Sequence, residues 1–282
     1  MGGCSVTSVQ EKPIVIGVIA DVQYADCMPA GSRHFRTSLE KLAESVDFFN
    51  QTKPVFVVSL GDLIDRSPAD LSAPLASLKS LEVPVYHLLG NHDYRGGSTS
   101  RWLVNQLQMP ATYYTQSQGN WTFVFLDTND LSVYTCQNDS INKDELMDLL
   151  AQLEKTKAPQ NENWNGGIGK QQLQWLDGIL TQCEKESRNV VLFSHHPLYP
   201  KSRFSALNYD QIVEVIDRYS CVKAAFAGHH HDGNFAFYKG IPFFTLEGMV
   251  ETPNKNAYGL VYLYEKKVEL VGYGRMRSYP QK

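Results

Sequence analysis

Three features of the sequence predict an α/β fold. Apolar, β-branched runs recur, each ending on a polar or ionisable residue; amphipathic stripes at helical spacing fall between them; and the last quarter turns into short alternating strands. Parallel strands with crossover helices put their carboxyl ends on one rim, where the functional residues of such folds gather.

Ile14 to Ala20 reads as a buried strand ending on Asp21, and Leu39, Leu42, Ala43, Val46 and Phe49 then mark an amphipathic helix over about 35 to 51. Val55 to Leu60 is the next strand and leads into Gly61-Asp62. A helix over about 69 to 81 precedes Val83 to Leu89, which leads into Asn91 and His92. Thr122 to Leu126 is a further strand, Thr128 to Asn142 an amide-rich loop, and about 143 to 155 a helix. Lys157 to Gly169, rich in Asn and Gly, is expected to be a mobile surface loop. Leu173, Leu176, Leu180 and Cys183 define another helix stripe. Asn189 to Phe193 delivers Ser194-His195, a helix over about 207 to 219 follows, and Lys223 to Ala227 delivers Gly228-His229. Four short strands close the pattern: Asn234 to Tyr238, Pro242 to Leu246, Tyr258 to Tyr264 and Val268 to Tyr273. The expected organisation is a loose segment over 1–12, a single domain over 13–275 and a tail over 276–282.

A chain of 282 residues with 43% hydrophobic and 20% charged residues has globular proportions and can bury a large core. Its formal net charge of −4 argues against a nucleic-acid surface, which needs a basic face, so the expected partner is a small molecule recognised locally. Cys4, Cys27, Cys136, Cys183 and Cys221 form no C-x-x-C pair, which suggests neither a disulfide framework nor structural zinc and points to a reducing compartment. No apolar run approaches the roughly 18 residues needed to cross a bilayer. Stable membrane insertion is therefore not expected, and a cytoplasmic location is. Met1-Gly-Gly-Cys4 leaves acylation at Gly2 or Cys4 open, although Val6 stands where the myristoylation pattern wants Ser or Thr.

The residues that end the strands share one chemistry. Asp21-Val-Gln23, Gly61-Asp62-Leu-Ile-Asp65, Gly90-Asn91-His92-Asp93, Ser194-His195-His196 and Gly228-His229-His230-His231 each offer oxygen or imidazole donors at the exit of an apolar run. Singly such motifs are common in turns; in this order they predict a two-metal site. Hard or borderline dications take carboxylate, amide and imidazole donors, and a pair of them needs a bridging carboxylate. Asp62, freed at the rim by the glycine before it, is assigned as that bridge. Asp21 and Gln23, two apart on what is expected to be an extended strand end, project to the same side and bind the first ion with His231. Asn91, His195 and His229 complete the second. His92 is left beside the ions to face the leaving group.

Together these residues resemble the calcineurin-like metallophosphoesterases, whose series is D-x-H/Q, G-D-x-x-D, G-N-H-D/E, a later H, and G-H-x-H. Within them the chain is most similar to the manganese-dependent ADP-ribose/CDP-alcohol diphosphatases. That likeness rests on Ile19-Ala-Asp-Val-Gln-Tyr-Ala-Asp26, Asp130-Leu-Ser-Val133, Asn165-Gly-Gly167, Gln172-Leu-x-Trp-Leu176, Ala227-Gly-His-x-His-Asp-Gly233 and Leu246-Glu-Gly-x-x-Glu-Thr252. The resemblance implies two packed mixed β-sheets flanked by helices. It also implies a hydrolase that cleaves the phosphoanhydride of nucleoside diphosphate derivatives such as ADP-ribose and CDP-alcohols, releasing a nucleoside monophosphate. The chain is short, for that family, after Asp26 and between Thr115 and Trp121, where substrate-facing loops could lie.

Gln23 replaces the imidazole found at its position in most of the superfamily, and its amide oxygen should favour Mn²⁺, with Fe²⁺ or Mg²⁺ as alternatives, over softer ions. His92 is the expected acid at the departing oxygen. Asp65 or Asp93 would orient its ring, and the resemblance favours Asp65. Arg33, His34, Arg36, Arg66, Arg95 and Arg203 are candidate phosphate contacts; Tyr24, Phe35, Tyr94, Tyr199 and Tyr209 are candidates for stacking on a base or ribose. Two other functions fit the same motifs: a cyclic-nucleotide phosphodiesterase or related phosphoesterase, and a noncatalytic scaffold of the same fold.

Overall fold

The computed structural model describes residues 12–136 and 140–279, so Gly2 and Cys4 lie outside the described residues. In chain order the strands are β1 (Ile14–Ile19), β2 (Val57–Ser59), β3 (Val85–His87), β4 (Tyr114–Gln118), β5 (Trp121–Phe125), β6 (Asn189–Ser194), β7 (Val222–Ala227), β8 (Asp232–Tyr238), β9 (Ile241–Glu247), β10 (Ala257–Tyr264) and β11 (Lys267–Gly274). The α-helices are α1 (Thr37–Thr52), α2 (Ser72–Leu78), α3 (Ser100–Gln106), α4 (Ser140–Lys155), α5 (Lys170–Lys185) and α6 (Tyr209–Asp217). Among the described residues no helix is long and apolar enough to cross a membrane.

The strands form two mixed sheets, in the orders β11-β10-β1-β2-β3 and β4-β5-β6-β7-β9-β8. In the first, β1, β2 and β3 run parallel while β10 and β11 add antiparallel. In the second, β5, β6, β7 and β9 run parallel between the antiparallel edges β4 and β8. Period-2 alternation sorts the side chains of the second sheet. Phe123, Phe125, Phe193, Phe226 and Phe244 face the first sheet and stack across it, with centroids 4.5 Å apart for Phe226–Phe244 and 5.2 Å for Phe125–Phe193. Val124, Leu126, Val190, Leu192 and Phe243 face the other way, onto Leu176 and Leu180 of α5 and Ile212 and Ile216 of α6. Helix α1 covers the first sheet through Leu42, Val46 and Phe49, with Phe49 meeting Tyr258 edge-on at 5.9 Å.

Three sequence expectations change, and two elements appear where none was expected. Ala43, read as part of the α1 stripe, is exposed, and Lys41 and Ser45 turn inward instead. Strand β4 and helix α3 carry too little apolar periodicity to be seen in the sequence. Lys157 to Gly169 is pinned rather than loose: Gly167 and Leu131 exchange backbone hydrogen bonds of 2.9 and 3.0 Å, Leu207 N–H donates to Gly166, and Asn165 is buried. Finally, the segment read as a tail from 276 packs Met276 into the core and pairs Tyr279 with Leu270.

Candidate metal centre

The parallel strands of both sheets end on one rim. Asp21 follows β1, Asp62 follows β2, Asn91 follows β3, His195 follows β6 and His229 follows β7. The loops after the strands approach so closely that only glycine fits between them. A Cβ on Gly90 would lie 2.1 Å from Asp62 Oδ1, and one on Gly61, whose φ is +91°, would lie 2.7 Å from Gly90 N.

Asp21, Gln23 and Asp62 are fully buried and stand beside the rim imidazoles. Asp62 Oδ2 lies 2.9 Å from Gln23 Nε2 and 3.4 Å from His195 Nε2; Asp21 Oδ1 lies 3.3 Å from His231 Nε2. His195 Nε2 is 3.2 Å from Asn91 Oδ1, and one ligand atom from each of Asp21, Asp62 and His195 falls within 4.8 Å of the others. The outer ring nitrogens fix which nitrogen faces inward. His195 Nδ1 is tied to Leu60 O at 2.8 Å and His231 Nδ1 to Glu251 Oε1 at 2.7 Å, leaving both Nε2 atoms inward; His229 Nε2 is tied to Asn165 Oδ1 at 2.9 Å, leaving Nδ1. His196 is excluded from the donor set. Its Nδ1 meets Thr128 Oγ1 at 2.8 Å and its Nε2 meets Trp164 O at 3.2 Å, and burial pushes its pKa down to about 3.

The extended geometry expected for Asp21 and Gln23 is not what brings them together. Both lie beyond the end of β1 in the left-handed region, with φ 53° and 44°, as do Asp62 at 54° and His229 at 65°. Non-glycine residues held there cost about 1–3 kcal/mol each and cluster where function requires it. Here the backbone turns aim the side chains inward, and Asp21 is held by the His229 N–H at 3.1 and 3.0 Å from its two oxygens.

The donor set fits a dication pair on its own chemistry. Gln23 Oε1 is a buried acceptor without a partner. Burial disfavours charge on Asp62, yet His195 and His92 hold its carboxyl well below the usual range. Conversely, burial would lower His195 and His231, but Asp62 and Asp21 push them up to about 9. Protons on these imidazoles thus stand where cations would offset the carboxylates, and metal binding would release them.

His92 sits beside this group, its backbone N–H donating to Asp62 Oδ1 at 2.7 Å. Its Nδ1 is 2.5 Å from Asp65 Oδ1, while Nε2 lies 3.5 Å from Arg33 Nη1. Asp65 also faces Arg66 Nε at 2.7 Å, Arg33 Nη1 at 3.7 Å and Arg95 Nη1 at 3.8 Å. Asp93, the alternative orienter of His92, points away from it. Its Oδ2 accepts from Asp62 N at 2.9 Å and Gly90 N at 2.8 Å, and its Oδ1 accepts from Leu63 N at 2.8 Å and Ile64 N at 3.2 Å. Asp93 is a clasp between two motif loops.

A cavity of about 300 Å³ opens over these residues, walled by Arg33 and His92 and by Trp164, Arg203 and Phe204. Of the substrate contacts expected from the sequence, Arg33 and Arg203 line it, and the rest lie elsewhere for identifiable reasons. Phe35 is 1% exposed, packed with Ala25 and Val250. Tyr24 pairs with Ile64 and packs on the core; Tyr199 packs on Tyr238 and Phe243; Tyr209 begins α6 against the outer core; Tyr94 is buried and meets Ser100. Arg66 and Arg95 surround Asp65, Arg36 pairs with Asp26 at 2.6 Å, and His34 donates its backbone N–H to Val250. Trp164 and Phe204 were missed. Their one signal is an aromatic ring in a polar stretch with no apolar periodicity to explain it. The Arg203 guanidinium lies 5.2 Å from the Trp164 ring centre, and Phe204 stacks on His230 at 4.2 Å.

The calcineurin-like phosphoesterase family pattern matches residues 14–233. Proteins named manganese-dependent ADP-ribose/CDP-alcohol diphosphatase are similar over nearly the whole chain. The human one is 32% identical, covering 94% of this chain and 92% of its own length, and the rice one 33% identical, covering 95% and 94%. A crystal structure of a dimetal phosphatase from Danio rerio superposes with a TM-score of 0.87 at 29% identity, covering 96% of this chain and all of that one.

Proposed function

This chain belongs to the calcineurin-like phosphoesterase family, and we propose that it hydrolyses the phosphoanhydride of nucleoside diphosphate derivatives such as ADP-ribose and CDP-alcohols, releasing a nucleoside monophosphate. The observation that carries this reading is the placement of seven oxygen and nitrogen donors beneath a cavity with guanidinium and aromatic walls. We assign Asp21, Gln23 and His231 to one ion and Asn91, His195 and His229 to the other, with Asp62 shared. Two divalent ions held there, Mn²⁺ in the first instance, would supply activation of water near neutral pH and neutralisation of phosphoryl charge.

The remaining work falls to side chains. Trp164 and the face of Phe204 turned away from His230 are the surfaces for the base on the His229 side, with the Arg203 guanidinium 5.2 Å and 5.8 Å from the two ring centres. We take that seat to bring the nucleoside's own phosphorus over the donors. The second phosphate then departs past His92 and Arg33. His92 holds a proton at Nε2 for the departing oxygen, Asp65 stabilises the ring that carries it, and Arg33 offsets the charge left on the leaving phosphate. The formal net charge of −4 supports a small-molecule substrate over nucleic acid. The free thiols of Cys27, Cys183 and Cys221 support a reducing, cytoplasmic setting.

Metal-stripped protein reloaded with Mn²⁺ and given ADP-ribose, CDP-choline and 2′,3′-cyclic AMP in parallel tests the reading by chromatography. Release of AMP from ADP-ribose is the expected result. Turnover of the cyclic ester alone would replace it with a phosphodiesterase, and a protein that binds Mn²⁺ but turns over none of the three would favour a scaffold.

A further inference from the structure

The segment Gly248 to Thr252 lies beyond the residues that the family pattern matches, yet it is built into the wall of the metal centre. Glu251 Oε1 receives the Nδ1–H of His231 at 2.7 Å, on the ring edge opposite Asp21. The segment is anchored from three directions. Lys41, on α1, donates its ammonium to the carbonyls of Met249, Glu251 at 3.2 Å and Thr252 at 2.9 Å. Arg275 Nη1 donates to Gly248 O at 2.9 Å and to His231 O at 3.0 Å. Backbone hydrogen bonds from His34 N to Val250 O at 2.9 Å and from Thr252 N to Ser32 O at 3.1 Å join it to the stretch carrying Arg33. Burying a lysine on the inward face of α1 is costly. Three carbonyl acceptors in one five-residue segment are what offsets that cost here.

We propose that Glu251 is a positioning residue for the ion held by Asp21, Gln23 and His231, fixing the His231 tautomer and ring plane, and that Lys41 and Arg275 hold Glu251 in register with it. The proposal rests on the two-ion reading of the site. A carboxylate behind a ligating imidazole raises its basicity and fixes its direction, and loss of such a partner weakens metal binding by about 10- to 100-fold. The other ion, held by Asn91, His195 and His229, has its own fixed partners in Leu60 and Asn165 and does not depend on Glu251.

The test is Mn²⁺ binding to metal-stripped wild type, Glu251→Ala and Glu251→Gln, followed by calorimetry and by the electron paramagnetic resonance signal of a coupled Mn²⁺ pair. Wild type should bind two ions. Glu251→Ala should keep one at the wild-type affinity, bind the other about 10- to 100-fold more weakly, and lose the coupled signal at limiting Mn²⁺. Glu251→Gln, whose amide oxygen can still accept the Nδ1–H, should fall between; if Glu251→Ala does not fold, Glu251→Gln carries the test alone. Unchanged affinity for both ions, or an equal loss at both, would overturn the assignment. Fewer than two ions in wild type would instead overturn the two-ion reading beneath it.

Discussion

Asp93→Asn should destabilise the metal-free protein by about 1–2 kcal/mol, more than its isosteric shape suggests. The carboxylate accepts four backbone N–H groups, two from each oxygen, and so ties the loop after β2 to the loop after β3. An amide leaves one accepting oxygen and turns its NH₂ toward two N–H donors. A hydrogen bond to a charged acceptor contributes about 1.5–3 kcal/mol, so two lost bonds amount to about 3–6 kcal/mol. Most of this is returned, at about 1.4 kcal/mol for each pH unit by which the carboxyl is raised. Burial beside Asp62 pushes Asp93 up to about 7, against the pull of the amide donors, and the substitution removes that buried charge. Urea titration at pH 8, where the carboxylate is ionised, reads the difference as a lower midpoint at unchanged slope. Metal-free protein is used because bound ions would add stability by mass action. A change below about 0.5 kcal/mol, the range of a surface substitution, would refute the clasp.

Three further outcomes follow from the same geometry. His92→Ala should lower kcat about 10²- to 10⁴-fold with two Mn²⁺ still bound, measured by turnover and metal analysis together; loss of an ion would make His92 a ligand. Phe204→Ala should raise KM for ADP-ribose about 10-fold, since stacking on a base contributes about 1–3 kcal/mol, and an unchanged KM would remove Phe204 from the nucleoside seat. Burial, with Asp130 nearby, pushes Asp127 from 3.8 up to about 7. The folded state therefore holds the proton more tightly than the unfolded chain, and stability falls as pH rises from about 4 to about 7. Asp127→Asn should flatten that fall and be the more stable protein at pH 8, by up to a few kcal/mol; identical urea midpoints for the two at pH 5 and pH 8 would refute it.

The convergence of the candidate donors was legible in the sequence because each follows an apolar run long enough to mark a strand, and parallel strands bring their ends together whatever the loops do. Their local geometry was not. Asp21, Gln23, Asp62 and His229 all adopt left-handed turns, which the sequence signals only through the glycines beside two of them. The cavity walls were read least well. An aromatic ring that lines a cavity and one that fills a core carry the same letter, so Phe35, Tyr199 and Tyr209 were named and Phe204 was not. Composition also misled at Lys157 to Gly169. Asn and Gly signal turn chemistry, but here Asn165 spends its amide not only on Gln160 O within the loop but also on Arg203 O and His229, which lie far off in the chain.

Hydrolysis of ADP-ribose by the Mn²⁺-loaded protein in ¹⁸O-labelled water, with both products weighed by mass spectrometry, tests the central claim most directly. With the base seated on Trp164 and Phe204 and the second phosphate leaving past His92, one ¹⁸O should appear in AMP and none in ribose 5-phosphate. Label in ribose 5-phosphate would contradict that seating, and the absence of cleavage would contradict phosphoanhydride hydrolysis itself.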